Sequence, residues 1–226
     1  MQFNERYFNF IDKLDFPDSI PHGVEILNPF LVRETYNLSK AFYSKYYSDN
    51  NPRLFLIGIN PGRFGAGVTG VPFTDPIRLE EKCGIFNSLL KRQELSSVFV
   101  YEMIEAFGGL DYFYRNVFFT SVSPLGFVKD GINLNYYDIP EVRDFLEPYM
   151  VKSLRKQIEM GAITSVAFSM GKGQNIKYLK YLNKKYHLFG DIQPLPHPRW
   201  VMQYRLKRKQ EFIDEYVSKI SSALNL

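Results

Sequence analysis

Residues 54–73 read LFLIGINPGRFGAGVTGVPF. The first six, Leu54–Ile59, form a continuous apolar run between Pro52 and Asn60-Pro61-Gly62. A run this short, apolar at every position, suits a strand buried on both faces, as in a parallel sheet. The run gives way to a loop, with five glycines and two prolines between Gly58 and Phe73. Glycine lets backbone approach a ligand closely and leaves N–H donors exposed. A nucleotide P-loop would end in Gly-Lys-Ser/Thr, which is missing here. A dinucleotide fingerprint would open a helix at its third glycine, and Val71-Pro72-Phe73 is not a helix start. Ser169-Met170-Gly171-Lys172-Gly173 also fails the P-loop spacing, because Val166 stands where the first glycine belongs. A loop this long without its own secondary structure reads as functional.

Working outward, three more short runs read as strands: Val117–Val122 (VFFTSV), Ile163–Phe168 (ITSVAF) and Asp191–Leu195. Helical patterns fall at 3–14, 31–48, 79–92, 98–107, 141–160, 173–186 and 203–223. Strands alternating with helices predict an α/β fold, a three-layer α/β/α sandwich around a four-stranded parallel sheet. No linker divides the chain, so residues 1–226 read as a single domain, with 1–50 as an N-terminal helical extension packed on it.

The composition limits the function classes. The chain has 226 residues, 45% hydrophobic and 23% charged, which is enough to bury a real core. A single cysteine, Cys83, excludes an intramolecular disulfide framework, an all-Cys zinc site and a Cys-ligated iron–sulfur cluster within one chain. No apolar run reaches the roughly 18–20 residues of a membrane span. The N-terminal MQFNERYFNFIDKLDF lacks a signal-peptide pattern, so the expectation is a cytoplasmic protein. The net charge is only +4, but residues 151–226 hold fourteen Lys and Arg against five Asp and Glu. That asymmetry hints at a polyanionic partner; a solvated basic surface is the competing reading.

In open parallel sheets, ligands bind beyond the carboxyl ends of the strands. Three segments sit there: Asn60–Phe73, Thr120–Leu125, and the PLPHPRWVMQYR stretch from Pro194. His197 lies in the last one between two prolines that fix its backbone, a setting that His22 and His187 lack.

Together these segments resemble the uracil-DNA glycosylase superfamily, and most nearly its single-strand-selective monofunctional uracil glycosylase branch. Gly58, Asn60, Pro61, Gly62, Phe64 and Gly65, then Thr69-Gly70-Val71-Pro72-Phe73, match that branch's first motif in register. Phe118, Phe119, Pro124 and Leu125 match the middle motif, and the downstream FVKDGINL is also similar. His197 and Pro198 open the last motif, which is shortened here to Arg199-Trp200. The resemblance spans residues 52–205, leaving the first helices and the last one outside it.

The resemblance implies a monofunctional DNA glycosylase of base-excision repair. Such an enzyme flips a nucleotide out of the stack and hydrolyses its N-glycosidic bond without metal or cofactor. Its partner would be DNA containing uracil or another deaminated base, and it would act as a monomer. On this reading Asn60 and His197 are catalytic: Asn60 holds the attacking water, and His197 hydrogen-bonds the departing base. Gly58, Gly62, Arg63, Phe64, Phe73 and Ser121 bind substrate, with Phe73 stacking on the base and the Gly62–Arg63 amides acting as donors. Arg199, Trp200, Val201 and Met202 are candidates for the wedge that enters DNA. Arg205, Lys207 and Arg208 would meet phosphates. No lysine stands in the first motif, which argues against lyase chemistry. Ser121 replaces the family's base-reading Asn, and Thr120 the preceding His. A hydroxyl can rotate to donate or accept, so looser discrimination is expected, extending to xanthine or hydroxymethyluracil. Two plainer readings compete: Asn60 as a turn cap and Phe73 as core. So does a catalytically silent DNA- or nucleotide-binding protein that keeps the fold.

Overall fold

The computed structural model describes residues 1–225. Its strands are β1 (Glu25–Leu27), β2 (Leu54–Gly58), β3 (Val117–Ser121), β4 (Gly126–Lys129), β5 (Ile132–Leu134), β6 (Val166–Met170) and β7 (Asp191–Leu195). Its α-helices are α1 (Phe3–Ile11), α2 (Arg33–Tyr46), α3 (Ala66–Thr69), α4 (Pro76–Glu81), α5 (Leu95–Ala106), α6 (Leu110–Asn116), α7 (Pro140–Glu159), α8 (Gln174–Tyr186), α9 (Pro198–Tyr204) and α10 (Lys209–Leu224).

The main sheet runs β3-β2-β6-β7 and is parallel throughout. β2 is buried at every position, as its unbroken apolar run predicts. Alternation sends Phe118 and Thr120 to one face and Phe119 to the other. Phe3 and Tyr7 of α1 and Tyr43 of α2 pack against Phe118, and Gln157 of α7 meets Thr120. Phe113 of α6 meets Phe119 on the opposite side. The first two helices therefore contribute to the main core.

Arg53, fully buried just before β2, ties these layers together. It donates to the Tyr114 and Asn51 carbonyls (2.8 and 2.9 Å), pairs with Asp49 (2.9 Å), and lies over the Phe3 and Tyr47 rings.

Several boundaries depart from the sequence reading. The helix expected over 79–92 stops at Glu81. Gly84 takes φ +67°, and the amides of Cys83, Gly84 and Ile85 close back onto the last turn. The strand expected at Ile163–Phe168 begins three residues later. Ahead of it the chain only bridges Arg53, through Ile163 N–H to the Arg53 carbonyl at 2.8 Å. The final helix is two helices, α9 and α10, broken at Arg205 (φ −136°, ψ 25°).

A second sheet, β1-β4-β5, is antiparallel and was not foreseen. Its β4–β5 turn is Asp130-Gly131, both at positive φ (49° and 71°). Asp-Gly is a strong two-residue hairpin signal, so the FVKDGINL stretch carried this element legibly.

Candidate active site

The segments after β2, β3 and β7 converge at the carboxyl end of the main sheet. With Asn133, Leu134, Asn135, Tyr137 and α9 they enclose a cleft of about 580 Å³. Asn60, Phe73, Ser121 and His197 all line it.

Asn60 follows β2 and is clamped by backbone on both sides of its amide. Nδ2 donates to the carbonyls of Leu134 (3.0 Å) and Pro61 (3.2 Å), and Oδ1 accepts from the Tyr136 N–H at 3.0 Å. Both Nδ2 hydrogens are thereby used, while Oδ1 keeps one lone pair for a ligand. The next turn is held by Asn133, whose Oδ1 accepts from the Arg63 N–H at 3.1 Å. That bond corrects one expectation: the Arg63 amide is taken by Asn133 of β5, and the Arg63 side chain does not line the cleft. Gly62 does line it. Close backbone packing explains two glycines here. A Cβ on Gly67 would overlap the Gly62 carbonyl oxygen, and one on Gly126 the Pro61 carbonyl oxygen.

Phe73 occupies the third position of a Pro72-led turn closed by Thr74 N–H to the Val71 carbonyl (3.3 Å). Its φ is +54°, where such turns usually carry glycine. A bulky residue there costs about 1–3 kcal/mol and persists only where the surroundings enforce it. The ring rests on Phe119 (centroids 5.2 Å apart) and approaches His197 (6.3 Å). The ring lies over Gly58, where a Cβ would be in ordinary contact with it at 3.5 Å and tighter against the Thr120 carbonyl at 3.3 Å.

His197 caps α9. Its Nδ1 accepts from the Arg199 N–H at 3.2 Å, and Pro198 fills the first helical position. An accepting Nδ1 carries no proton, so Nε2 bears the hydrogen. Burial, aided by the Arg199 charge, pushes the imidazole pKa down to about 4. The ring is therefore a neutral donor near pH 7.

Ser121 ends β3, and its hydroxyl donates to the Ser123 carbonyl at 2.6 Å. Ser123 is wholly buried, so the bond satisfies a group with no access to water. The expected rotating hydroxyl is thus turned inward, and Ser121 offers the cleft only lone pairs. Thr120, at the position of the family's His, hydrogen-bonds Gln157 and is buried.

The rim is aromatic and cationic. On one side Phe64 is 39% exposed, with the Arg92 guanidinium 3.8 Å from its ring centre and Arg63 at 5.6 Å. On the other, Trp200 is 40% exposed, with Arg205 over its ring at 5.0 Å. Arg199 and Trp200 line the cleft as expected. Val201 does not: it is fully buried, because the inward face of α9 packs on α5. Met202 is half-buried against the same core. Neither lines the cleft. Gln203 and Tyr204 face the cleft in their stead, and Tyr204 and Leu206 project from the rim. Arg205, Lys207 and Arg208 are exposed beyond the cleft lining, with Arg208 bidentate on Glu211 (2.7 and 2.9 Å).

The basic last third contributes less than its charge suggests. Lys152, Lys156, Lys172, Lys185 and Lys219 are paired with carboxylates elsewhere on the surface. In the cleft lining, Arg199 of the last third is joined by Arg92 from the acidic part of the chain. The sequence reading also missed Asn133, Leu134, Asn135 and Tyr137, which form the wall facing the Asn60 loop. The hairpin signal was available, but nothing local ties it to Asn60. Among the described residues no group of three or more His, Cys, Asp or Glu could hold a metal ion, and no helix is long and apolar enough to cross a membrane.

A family model, the uracil DNA glycosylase superfamily, matches residues 44–221. No curated protein matches the chain. Among solved structures, the crystal structure of wild-type Pedobacter heparinus SMUG2 is similar over 100% of both chains, at 40% identity and a TM-score of 0.96. The likeness takes in α1, α2 and α10, which the motifs did not reach. With a family model over most of its length and a full-length relative in the same frame, the chain belongs to the uracil DNA glycosylase superfamily.

Proposed function

We propose that this protein is a monofunctional DNA glycosylase that flips out uracil and hydrolyses its N-glycosidic bond. Related deaminated or oxidised bases, xanthine and hydroxymethyluracil among them, fall within the same reading. The observation that carries it is the convergence of Asn60, Phe73 and His197 on one cleft, with the Phe73 ring beside His197.

Breaking the bond leaves positive charge on the sugar and negative charge on the base. Asn60 is too weak a base to ionise water. Its remaining Oδ1 lone pair would accept one water hydrogen and turn the water oxygen toward the anomeric carbon. The oxygen bonds to that carbon, the carbon–nitrogen bond electrons leave with the base, and the extra water proton passes to solvent. His197 would donate Nε2–H to the base oxygen where the charge collects, a fixed donor in a partly dry site. A neutral imidazole suits that task because it stabilises the anion without first having to give up a proton. Phe73 would stack on the flipped base, and the Ser121 lone pairs would accept its ring N–H, as uracil offers at N3.

The test is single-turnover base release from oligonucleotides carrying uracil, xanthine or hydroxymethyluracil. Release from at least the uracil strand is expected, with losses of about 100-fold or more in Asn60→Ala and His197→Ala. The wild-type rate should stay flat from pH 7 to pH 5, since His197 charges only near pH 4. DNA binding with no release from any of the three would replace this reading with a silent binding protein.

A further inference from the structure

We infer that Asn175 and Tyr136, both buried and outside the cleft lining, are positioning residues that set the angle of the Asn60 amide. The inference rests on Asn60 orienting the attacking water, as proposed above.

Asn60 is anchored at two places. One is β2, the strand that delivers it. The other is the backbone of residues 134–136, which takes both ends of its amide: Leu134 C=O accepts at 3.0 Å and Tyr136 N–H donates at 3.0 Å. These anchors are far apart in sequence, and a small relative shift would swing the amide. Two hydrogen-bonded side chains, Asn175 and Tyr136, join them. Asn175, in the first turn of α8, donates through Nδ2 to the carbonyls of Ile57 (3.1 Å) and Gly58 (3.4 Å), the last residues of β2. Its Oδ1 accepts from the Tyr136 hydroxyl at 2.9 Å. The Ser169 hydroxyl oxygen accepts from the same Nδ2 at 3.1 Å and fixes the rotamer. Tyr136 thus spans the arrangement: its amide holds Asn60 and its hydroxyl holds Asn175.

The side chain of Tyr136 is 0% exposed and Asn175 2% exposed. Neither touches the cleft, so neither is positioned to contact substrate. The ring of Tyr136 also packs on Tyr137 and Tyr178 (4.9 and 5.2 Å between centroids), which keeps it in place when the hydroxyl alone is removed. Tyr136→Phe is therefore a narrow lesion: it cuts the Asn175 link and leaves the packing.

The experiment is a double-mutant cycle in single-turnover base release, combining Tyr136→Phe with Asn60→Ala. A 5-fluorouracil oligonucleotide, with its better leaving group, keeps the slow variants measurable. Tyr136→Phe alone should lower the saturating rate by about 10- to 100-fold, with half-saturation for DNA within about twofold. In the Asn60→Ala background it should change the rate by less than about twofold, because its effect passes through Asn60. Asn175→Ala should behave the same way, with the folded state checked by thermal melting. Two results would overturn the inference: a wild-type rate in Tyr136→Phe, or a loss that multiplies fully onto that of Asn60→Ala. If Asn60→Ala itself releases base at the wild-type rate, the role of Asn60 falls first, and this inference with it.

Discussion

The two walls of the cleft are built in opposite ways. On the Asn60 wall nearly every polar group is committed: the amide is clamped by residues 134–136, the Arg63 N–H by Asn133, and the loop backbone is pressed against Gly67 and Gly126. On the α9 wall only the cap is fixed. Beyond His197 the side chains of Trp200, Tyr204, Arg205, Leu206 and Lys207 stand in solvent. Chemistry that depends on holding an atom within a fraction of an ångström belongs on the first kind of wall. Contact with a long, variable polymer belongs on the second, where side chains can adjust without disturbing the catalytic groups. His197 sits at the junction, held by its own helix while lining the cleft.

The largest effect should come from loosening the fixed wall. Gly67→Ala forces a methyl group into the Gly62 carbonyl, which must move and carry the Asn60 turn with it. Base release should fall by about 100-fold or more, the scale expected of a 1 Å misplacement. Ser218→Ala, at an exposed position of α10 outside the cleft lining, is the control. Equal rates in the two variants would mean that this wall need not be rigid.

A smaller loss is expected from Ser121→Ala. It strands the buried Ser123 carbonyl and removes the acceptor facing the base edge. At about 1–3 kcal/mol for such a group, uracil release should drop about 10- to 100-fold. Ser121→Thr, which keeps the hydroxyl, should recover most of it. Failure of Thr to rescue would assign the loss to packing.

The contrast between the walls also explains what the sequence could and could not disclose. The strands β2, β3 and β7 were legible because each is a local apolar run; Asn60, Phe73 and His197 were singled out by their match to the family's motifs, and the structure brings the three to one cleft. The clamp on Asn60 was not, since its partners lie more than seventy residues away and act through main-chain atoms. The four wedge candidates divide by helix phase. Arg199-Trp200-Val201-Met202 reads as a linear run, but α9 turns Val201 inward and brings Gln203 and Tyr204 to the cleft. The charge excess of the last third is spread over several faces: Lys152 and Lys185 pair with Asp15 and Glu147 outside that third, and Arg199 is its basic residue in the cleft lining.

On the α9 wall, losses should appear in binding and leave the saturated rate alone. Trp200→Ala removes the larger exposed ring at the rim. Base stacking on such a ring is worth about 1–3 kcal/mol, so DNA affinity should weaken by about tenfold with single-turnover release at saturation unchanged. A fall in the saturated rate would move Trp200 to the catalytic side of the comparison.

The smallest expected effect separates two neighbouring cations. Arg208 is exposed, but its guanidinium is held by both Glu211 oxygens. Lys207 has no such carboxylate among the described residues. A cation already neutralised by its own helix adds little to the attraction of a phosphate, and pulling it away costs the pair. If the α9–α10 connection meets the DNA backbone, Lys207→Ala should lower the slope of log affinity against log salt by about 0.7–0.9, the value of one released counterion. Arg208→Ala should leave that slope unchanged. The reverse order would mean that Arg208 exchanges Glu211 for a phosphate on binding, and that this wall rearranges more than its free structure indicates.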